Sequence, residues 1–166
     1  MTAAILMVSV LSLVLSVTFN TYISNKDKRQ EAVHFIKAIS EIVAYNALIP
    51  LTFDQKDGLQ QFLTTIDKIE EIANIHVYRS NEYSETLEFF VSHKGRKVKA
   101  LSPQFHRIKQ LSTPLFSEEH IELGVPITDQ INGENLGYVY IRMQLESYNK
   151  DMSQFLFYNI IIVLLI

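Results

Sequence analysis

Cysteine is absent from the 166-residue chain. This absence excludes disulfide bonds and thiolate metal sites, and it is compatible with either an oxidising or a reducing compartment. Charge of one sign is not in excess either, since 15 Lys and Arg stand against 18 Asp and Glu, a net charge of −3. Proteins that bind nucleic acids usually carry a concentrated basic face, so we expect no nucleic-acid partner.

The common catalytic signatures are also missing. The chain has no G-x-S-x-G, P-loop or H-E-x-x-H motif, and without cysteine it has no thiol nucleophile. The acidic pairs Glu70-Glu71 and Glu118-Glu119 are sequence neighbours, and neighbouring side chains on a helix point in different directions. The five histidines show no H-x-x-x-H spacing, so we expect them to be solvated. These absences predict no catalytic residues, no metal site and no cofactor in this part of the protein.

Charged residues do not occur before Lys26, and Ala3 to Phe19 is a nearly unbroken run of apolar and small polar residues. A helix of about 20 such residues crosses a bilayer. A cleaved signal peptide is the alternative, but the basic start is missing, and Phe19 stands where a small residue is expected. We therefore predict an uncleaved transmembrane helix over residues 1–23, and the missing charges leave its orientation open.

A second apolar run begins at Phe155 and is still apolar at Ile166. It is shorter than the roughly 20 residues that span a bilayer. We interpret residues 151–166 as the start of a second transmembrane helix, truncated here, that continues in a longer protein. Residues 24–150 are then an extracytoplasmic domain between two membrane segments, and the lipid bilayer is an expected partner.

The helical pattern continues beyond the first apolar run, because Asn20 to Asn46 contains neither Gly nor Pro. Two apolar rows share this helix, and two rows indicate two partners, namely the domain's own sheet and a second subunit. A single wide buried face without a dimer is the alternative. One row is Phe35, Ile42 and Ile49. The row with heptad spacing, which we assign to a homodimer seam and signalling helix, is Ala32, Ile36, Ile39, Val43 and Asn46.

Pro50 predicts the end of this helix, because the residue before a proline is disfavoured in the helical conformation. A second helix is predicted next. Asp54 or Asp57 would cap it, and its apolar face repeats every three or four residues from Leu59 to Ile72.

Four strands are predicted in two hairpins. Residues 75–79 and 86–91 form the first, and residues 120–128 and 136–145, joined across an Asn-Gly turn, form the second. The region 94–117 is poorly patterned and predicts mostly loop, with one short strand or helical turn. This order indicates an α+β fold, with helices on one side of a small antiparallel sheet and both ends at the same membrane face.

The order of elements resembles the PAS-like, Cache-type extracytoplasmic sensor domains of bacterial membrane receptors. The likeness is carried by Tyr45-Asn46-Ala47 in the long helix, by the segment from Leu59 to Ile72 with the strand Ile75-His-Val-Tyr78, and by the pair Val125-Pro-Ile127 and Leu136-Gly-Tyr-Val139. Within that group the chain looks most like the CHASE-type periplasmic domain of YfiN-like diguanylate cyclases.

This resemblance covers residues 24–146. It implies a PAS-like antiparallel sheet, an inner-membrane protein with its sensor domain in the periplasm, and a ligand that is a small molecule or a periplasmic protein. It further implies a cytoplasmic output, either a diguanylate cyclase that makes cyclic di-GMP or a histidine kinase. A membrane-anchored structural protein of the pilin kind, or an adaptor that binds a partner through residues 94–117, is the alternative from another class.

Two groups of side chains are candidates for binding. Strand aromatics can line a ligand pocket of the PAS-like kind, although strand aromatics more often form core; they are Tyr78, Phe89, Tyr138 and Tyr140. The densest basic stretch can bind an acidic partner or lipid headgroups, and a solvated turn is its alternative; its residues are Lys94, Arg96, Lys97 and Lys99.

Overall fold

The computed structural model describes residues 2–81, 86–96 and 98–146. The chain divides into two compact units, one formed by residues 1–32 and 146–166 and the other by residues 33–145. The predicted start of a second transmembrane helix, at residues 151–166, lies outside the described residues.

The first helix, α1, covers Thr2–Thr52 and has Pro50 inside it, so the prediction that Pro50 ends the helix is wrong. The amide of Phe53 still donates to the carbonyl of Ile49, at 3.0 Å, one turn past the expected stop. The helix ends at Thr52, Asp54 then turns the chain away with a positive φ of 54°, and Gln55 N–H donates back to Pro50 O at 2.9 Å. Asp tolerates this left-handed conformation better than most residues.

Among the described residues, one helix is long and apolar enough to cross a membrane by length and composition, found over Leu15–Thr52.

The second helix, α2, covers Lys56–Thr65 and is shorter than predicted. Gln55 precedes it without a side-chain cap, so the predicted cap at Asp54 or Asp57 is not formed. A 3₁₀ turn at Ile66–Lys68 follows, and Ile72 already belongs to a strand. Pairing of that strand with the rest of the sheet overrides the helical spacing of its isoleucines.

Five antiparallel strands form one sheet in the order β2-β1-β5-β4-β3. This arrangement confirms the α+β class and the PAS-like sheet with a long first helix. The predicted Asn-Gly turn joins β4 to β5, with Gly133 at φ 74°. The strands are β1 (Ile72–Ser80), β2 (Leu87–Lys94), β3 (Leu115–Phe116), β4 (His120–Thr128) and β5 (Asn135–Gln144).

Both faces of the sheet are covered at its centre, because every residue from Ile72 to Tyr78 is buried. Since side chains alternate along a strand, Ile75 and Val77 belong to one face. Arg79 shares that face and donates to Leu51 O at the end of α1, at 2.9 Å. This face of the sheet is therefore the one that the helices cover. His76 and Tyr78 belong to the opposite face.

Candidate functional site

An irregular stretch, residues 99–111, covers the sheet face opposite the helices, and we refer to it as the cover segment. Its last part is a 3₁₀ turn, Ile108–Leu111. Ile108 and Leu111 are buried against Tyr78 of β1 and Tyr140 of β5. Gly124 of β4 makes this close approach possible, since a Cβ at this position would lie 2.6 Å from Ile108 O. The region predicted as loop with one short element therefore forms a lid on the sheet.

Polar side chains of the sheet attach the cover segment. Gln104 N–H donates to the Tyr78 hydroxyl at 2.7 Å, and that hydroxyl is also 3.0 Å from Nδ1 of His76. Asn74 Nδ2 lies 3.5 Å from Lys99 O, a long contact, and Asn74 Oδ1 is buried without a partner in the described part of the chain. Burial raises the pKa of Tyr78 and lowers the pKa of His76, so a protonated phenol and a neutral imidazole are favoured.

Aromatic rings surround the buried His76. Its ring centroid lies 5.5 Å from that of Tyr140 and 6.1 Å from that of Phe89. Phe105 of the cover segment stands over Tyr78 with 5.1 Å between centroids. Phe89 and Phe105 are 41% and 37% exposed, so this aromatic group reaches solvent along the edge of the cover. Such a mostly apolar site with a few polar groups has the composition of a ligand pocket.

A buried carboxylate, Glu122 of β4, has four polar side chains around it on the same sheet face. Glu122 is 5% exposed and accepts from the Tyr140 hydroxyl at 2.8 Å and from Arg107 of the cover segment at 3.2 Å. Nε2 of His120 lies 3.4 Å away and Nε of Arg142 lies 3.8 Å away. A carboxylate taken out of water is costly unless it is paired and hydrogen-bonded. These five residues, which we refer to as the Glu122 cluster, therefore hold one another and the cover in place.

Protonation within the Glu122 cluster follows from burial. Burial raises the pKa of Tyr140 well above its ordinary value, and its hydrogen bond to Glu122 raises it further, so Tyr140 remains a donor. Burial and then the nearby Arg142 lower the pKa of His120, against the opposite influence of Glu122. His120 is therefore mainly neutral at neutral pH, and the charges that balance the carboxylate are the guanidinium groups of Arg107 and Arg142.

The predicted ligand-pocket residues lie together on the covered face. Tyr78 and Tyr140 are fully buried there, Tyr138 is half-buried beside them, and Phe89 is at the partly exposed edge. Whether a ligand binds among them stays a prediction.

Most of the predicted dimer seam lies inside the chain. Ala32, Ile36 and Val43 are buried within the chain, Ile39 is half-buried, and Asn46 is exposed, with its amide bonded to its own helix at Ile42 O. Because the helix has 3.6 residues per turn and the heptad repeat has 3.5, the row drifts around the helix, and most of it faces the interior. A contact of this row with a second subunit stays a prediction.

The predicted basic patch is described at three of its four residues, and binding by the patch stays a prediction. Lys94 and Lys99 are exposed, and Lys97 lies outside the described residues. Arg96 donates to Asp67 at 2.8 Å, and this bond is the main reason that the pKa of Asp67 is lowered. His93, 8% exposed, lies 3.5 Å from the same carboxylate. A cavity of about 270 Å³ opens beside Asp67 and Arg96.

Sequence reasoning missed the charged half of the site. The expectation of solvated histidines is wrong for His76 and His93, which are buried. The residues Glu122 and Arg142 carry a signal that strand alternation could have used, because they share the parity of Tyr140 across paired strands. Arg107 lies in the irregular cover segment, where no helical or strand-like spacing marks it. The described residues contain no group of three or more His, Cys, Asp and Glu suited to a metal ion.

The likeness of this chain to known proteins is among solved structures. The sequence matches no protein-family model and no curated protein. Among solved structures, the chain is similar to the periplasmic domain of RsbU from Chlamydia trachomatis, with a TM-score of 0.46 and 17% sequence identity. The match covers 87% of this chain and 56% of that chain, so this chain spans little more than half the length of that structure.

Proposed function

We propose that this chain is the extracytoplasmic sensing part of a membrane-anchored signalling protein, and that the cover segment with the sheet face beneath it receives the signal. The observation that carries this proposal is the attachment of the cover. An irregular segment is held over buried polar and aromatic groups by Tyr78 and Glu122, two side chains of the sheet. A segment that is held by side chains, without the backbone pairing of a strand, can open at lower free-energy cost than the sheet itself.

Anchoring in the membrane follows from α1. Its first part carries no charge before Lys26, and the helix extends to Thr52 in the sheet-bearing unit. A ligand, either a small molecule or a periplasmic protein, that binds the open cover more tightly than the closed one would shift the equilibrium between the two. The helix would pass that shift to a cytoplasmic output. We propose a diguanylate cyclase as the output, with a histidine kinase as the alternative.

The location is testable with a single thiol, because the chain has no cysteine of its own. Ile131, in the turn between β4 and β5, is 96% exposed. We expect Ile131→Cys in intact cells to react with a maleimide that cannot cross the inner membrane, as fully as it does after lysis. A membrane-permeant maleimide is the control for reactivity. Labelling only after lysis would place the domain in the cytoplasm and contradict the proposal.

A homodimer is part of the proposal, through the face of α1 that the sheet does not cover. From Ile42 to Phe53 the chain has no charged residue. The large side chains on the outer face of this stretch are 50–69% exposed, and they are Ile42, Tyr45, Ile49 and Phe53. Two copies anchored in one membrane would bring the same face together about a two-fold axis, as in most homodimers.

Disulfide cross-linking tests this interface. We expect Ile49→Cys to form a covalent dimer in membranes under mild oxidation, because residues on a two-fold axis come within the separation of about 7 Å or less that a disulfide needs. Lys37→Cys is the matched control, since Lys37 is exposed on the same helix but about 120° away from Ile49 by the period of 3.6 residues. Equal cross-linking at both positions, or none at Ile49, would contradict the interface.

A further inference from the structure

The hydrogen bonds under the cover segment have a fixed direction. A backbone N–H only donates, so Gln104 donates to the oxygen of Tyr78. The Tyr78 O–H keeps its own proton to donate, and Nδ1 of His76 is an acceptor within reach, at 3.0 Å. An acceptor nitrogen carries a lone pair and no proton. The geometry therefore assigns His76 as neutral, with its proton on Nε2.

We propose that Nδ1 of His76 is a proton-binding site that releases the cover segment, so that acidification outside the cytoplasm is a signal for this domain. A proton on Nδ1 converts the acceptor into a donor. Tyr78 would then receive donors from both His76 and Gln104, and its own hydroxyl proton would lose its acceptor. Gln104 would then share its acceptor oxygen with a charged donor, and this competition weakens the attachment of the cover. This inference rests on the proposed sensing function.

The surroundings of His76 offer no replacement for the lost bond. Tyr78 of β1, Phe89 of β2 and Tyr140 of β5 contact its ring. Glu122 of β4 is engaged with the hydroxyl of Tyr140, one of these rings. In the described ranges no carboxylate pairs with His76. A protonated imidazole would therefore be a buried cation without a counter-ion.

Three further charged or titratable side chains lie near the Glu122 carboxylate, namely Arg107 of the cover segment, His120 and Arg142. His120 can also take up a proton in the acidic range, so it must be separated from His76 by experiment.

The direction of the pH effect follows from linkage. The pKa of His76 is lowered by burial while the cover is closed. With the cover open the imidazole regains water, and its pKa returns toward about 6.5. The open state then binds more protons than the closed state, so the closed state loses stability as the pH falls below that value. The closed cover is favoured at neutral pH and above.

Hydrogen–deuterium exchange of the Gln104 amide reports whether its hydrogen bond to the Tyr78 hydroxyl is formed. We use the chain 1–166 in detergent micelles and express the result as a protection factor, which corrects for the intrinsic effect of pH. Between about pH 7.5 and about pH 5, we expect protection of Gln104 to fall about tenfold or more. His76→Gln keeps an acceptor for Tyr78 but does not titrate, so its protection should stay constant. Tyr78→Phe removes the hydroxyl that accepts from Gln104, so the protection of Gln104 in this variant should be low at both pH values.

His120→Gln is the matched control, and it should show the same fall as the wild type. A constant wild-type value, a fall retained in His76→Gln, or a fall lost in His120→Gln would each overturn the proposal. The ¹⁵N shifts of the His76 ring at neutral pH give a second test that needs no variant. A proton on Nδ1 at that pH would also overturn it. These measurements concern the purified chain, whereas the proposed function is tested by labelling and signalling in cells, so the two can fail separately.

Discussion

Replacing Glu122 by leucine is expected to lower the free energy of unfolding by about 3 kcal/mol, because removing one partner of a buried charge group leaves the others without compensation. The Tyr140 hydroxyl loses its acceptor, at 2.8 Å, in a fully buried position. Arg107 and Arg142 keep some contact with water, since their side chains are 48% and 26% exposed, which limits the loss. Urea denaturation of the chain in micelles measures the change.

Glu119→Leu is the control for this prediction. Glu119 precedes the same strand and is exposed, so its replacement should change the free energy of unfolding by no more than about 0.5 kcal/mol. Glu122→Gln, which keeps the size and an acceptor for Tyr140, should lie between the two. A loss at Glu122 no larger than at Glu119 would show that the Glu122 cluster does not stabilise the fold.

Gly124→Ala is expected to displace the cover segment from the sheet and to cost about 2 kcal/mol, in the range of an overpacked core. A Cβ at Gly124 would lie 2.6 Å from Ile108 O and 3.3 Å from the Leu111 Cβ. The nearest atom is a backbone oxygen, so a side-chain rotation cannot relieve the contact, and the 3₁₀ turn must move. Amide protection across residues 104–111 should fall while that of β1 and β5 is retained.

The matched control is the same substitution at Gly58. This glycine is in α2, and the nearest atom to its added Cβ is 4.0 Å away, on Gln55. Alanine is the better helix former, so Gly58→Ala should raise stability by about 0.5 kcal/mol and leave the cover unchanged. Equal protection of residues 104–111 in both variants would contradict the close packing of cover and sheet.

The strands could be predicted from sequence because their signals are local. Alternation and β-branched residues mark β1 and β5, and Asn-Gly marks the turn between β4 and β5, where Gly133 has the expected positive φ. The ends of the helices could not be predicted, because they depend on single conformations. The chain turns away from α1 at Asp54 rather than at Pro50, and no local pattern distinguishes an aspartate that adopts a positive φ from one that caps a helix.

The candidate site was predicted only in its aromatic part. Tyr78 and Tyr140 stand out as aromatics on strands, and the structure places both on the covered face. Glu122 and Arg107 come together from a strand and from an unpatterned segment 15 residues apart, and only tertiary folding creates that contact. The same holds for His76, whose ring is surrounded by Tyr78, Phe89 and Tyr140 from three strands.

Signalling by the full-length protein tests the central claim, that the closed cover over the sheet controls the output, most directly. Cellular cyclic di-GMP would be measured for the wild type, Gly124→Ala and Gly58→Ala at equal protein levels, with histidine-kinase autophosphorylation as the readout if the output is of that class. We predict that Gly124→Ala fixes the output at the level that the signal produces, while Gly58→Ala responds as the wild type does. A normal signal response in Gly124→Ala, with its cover displaced, would contradict the account.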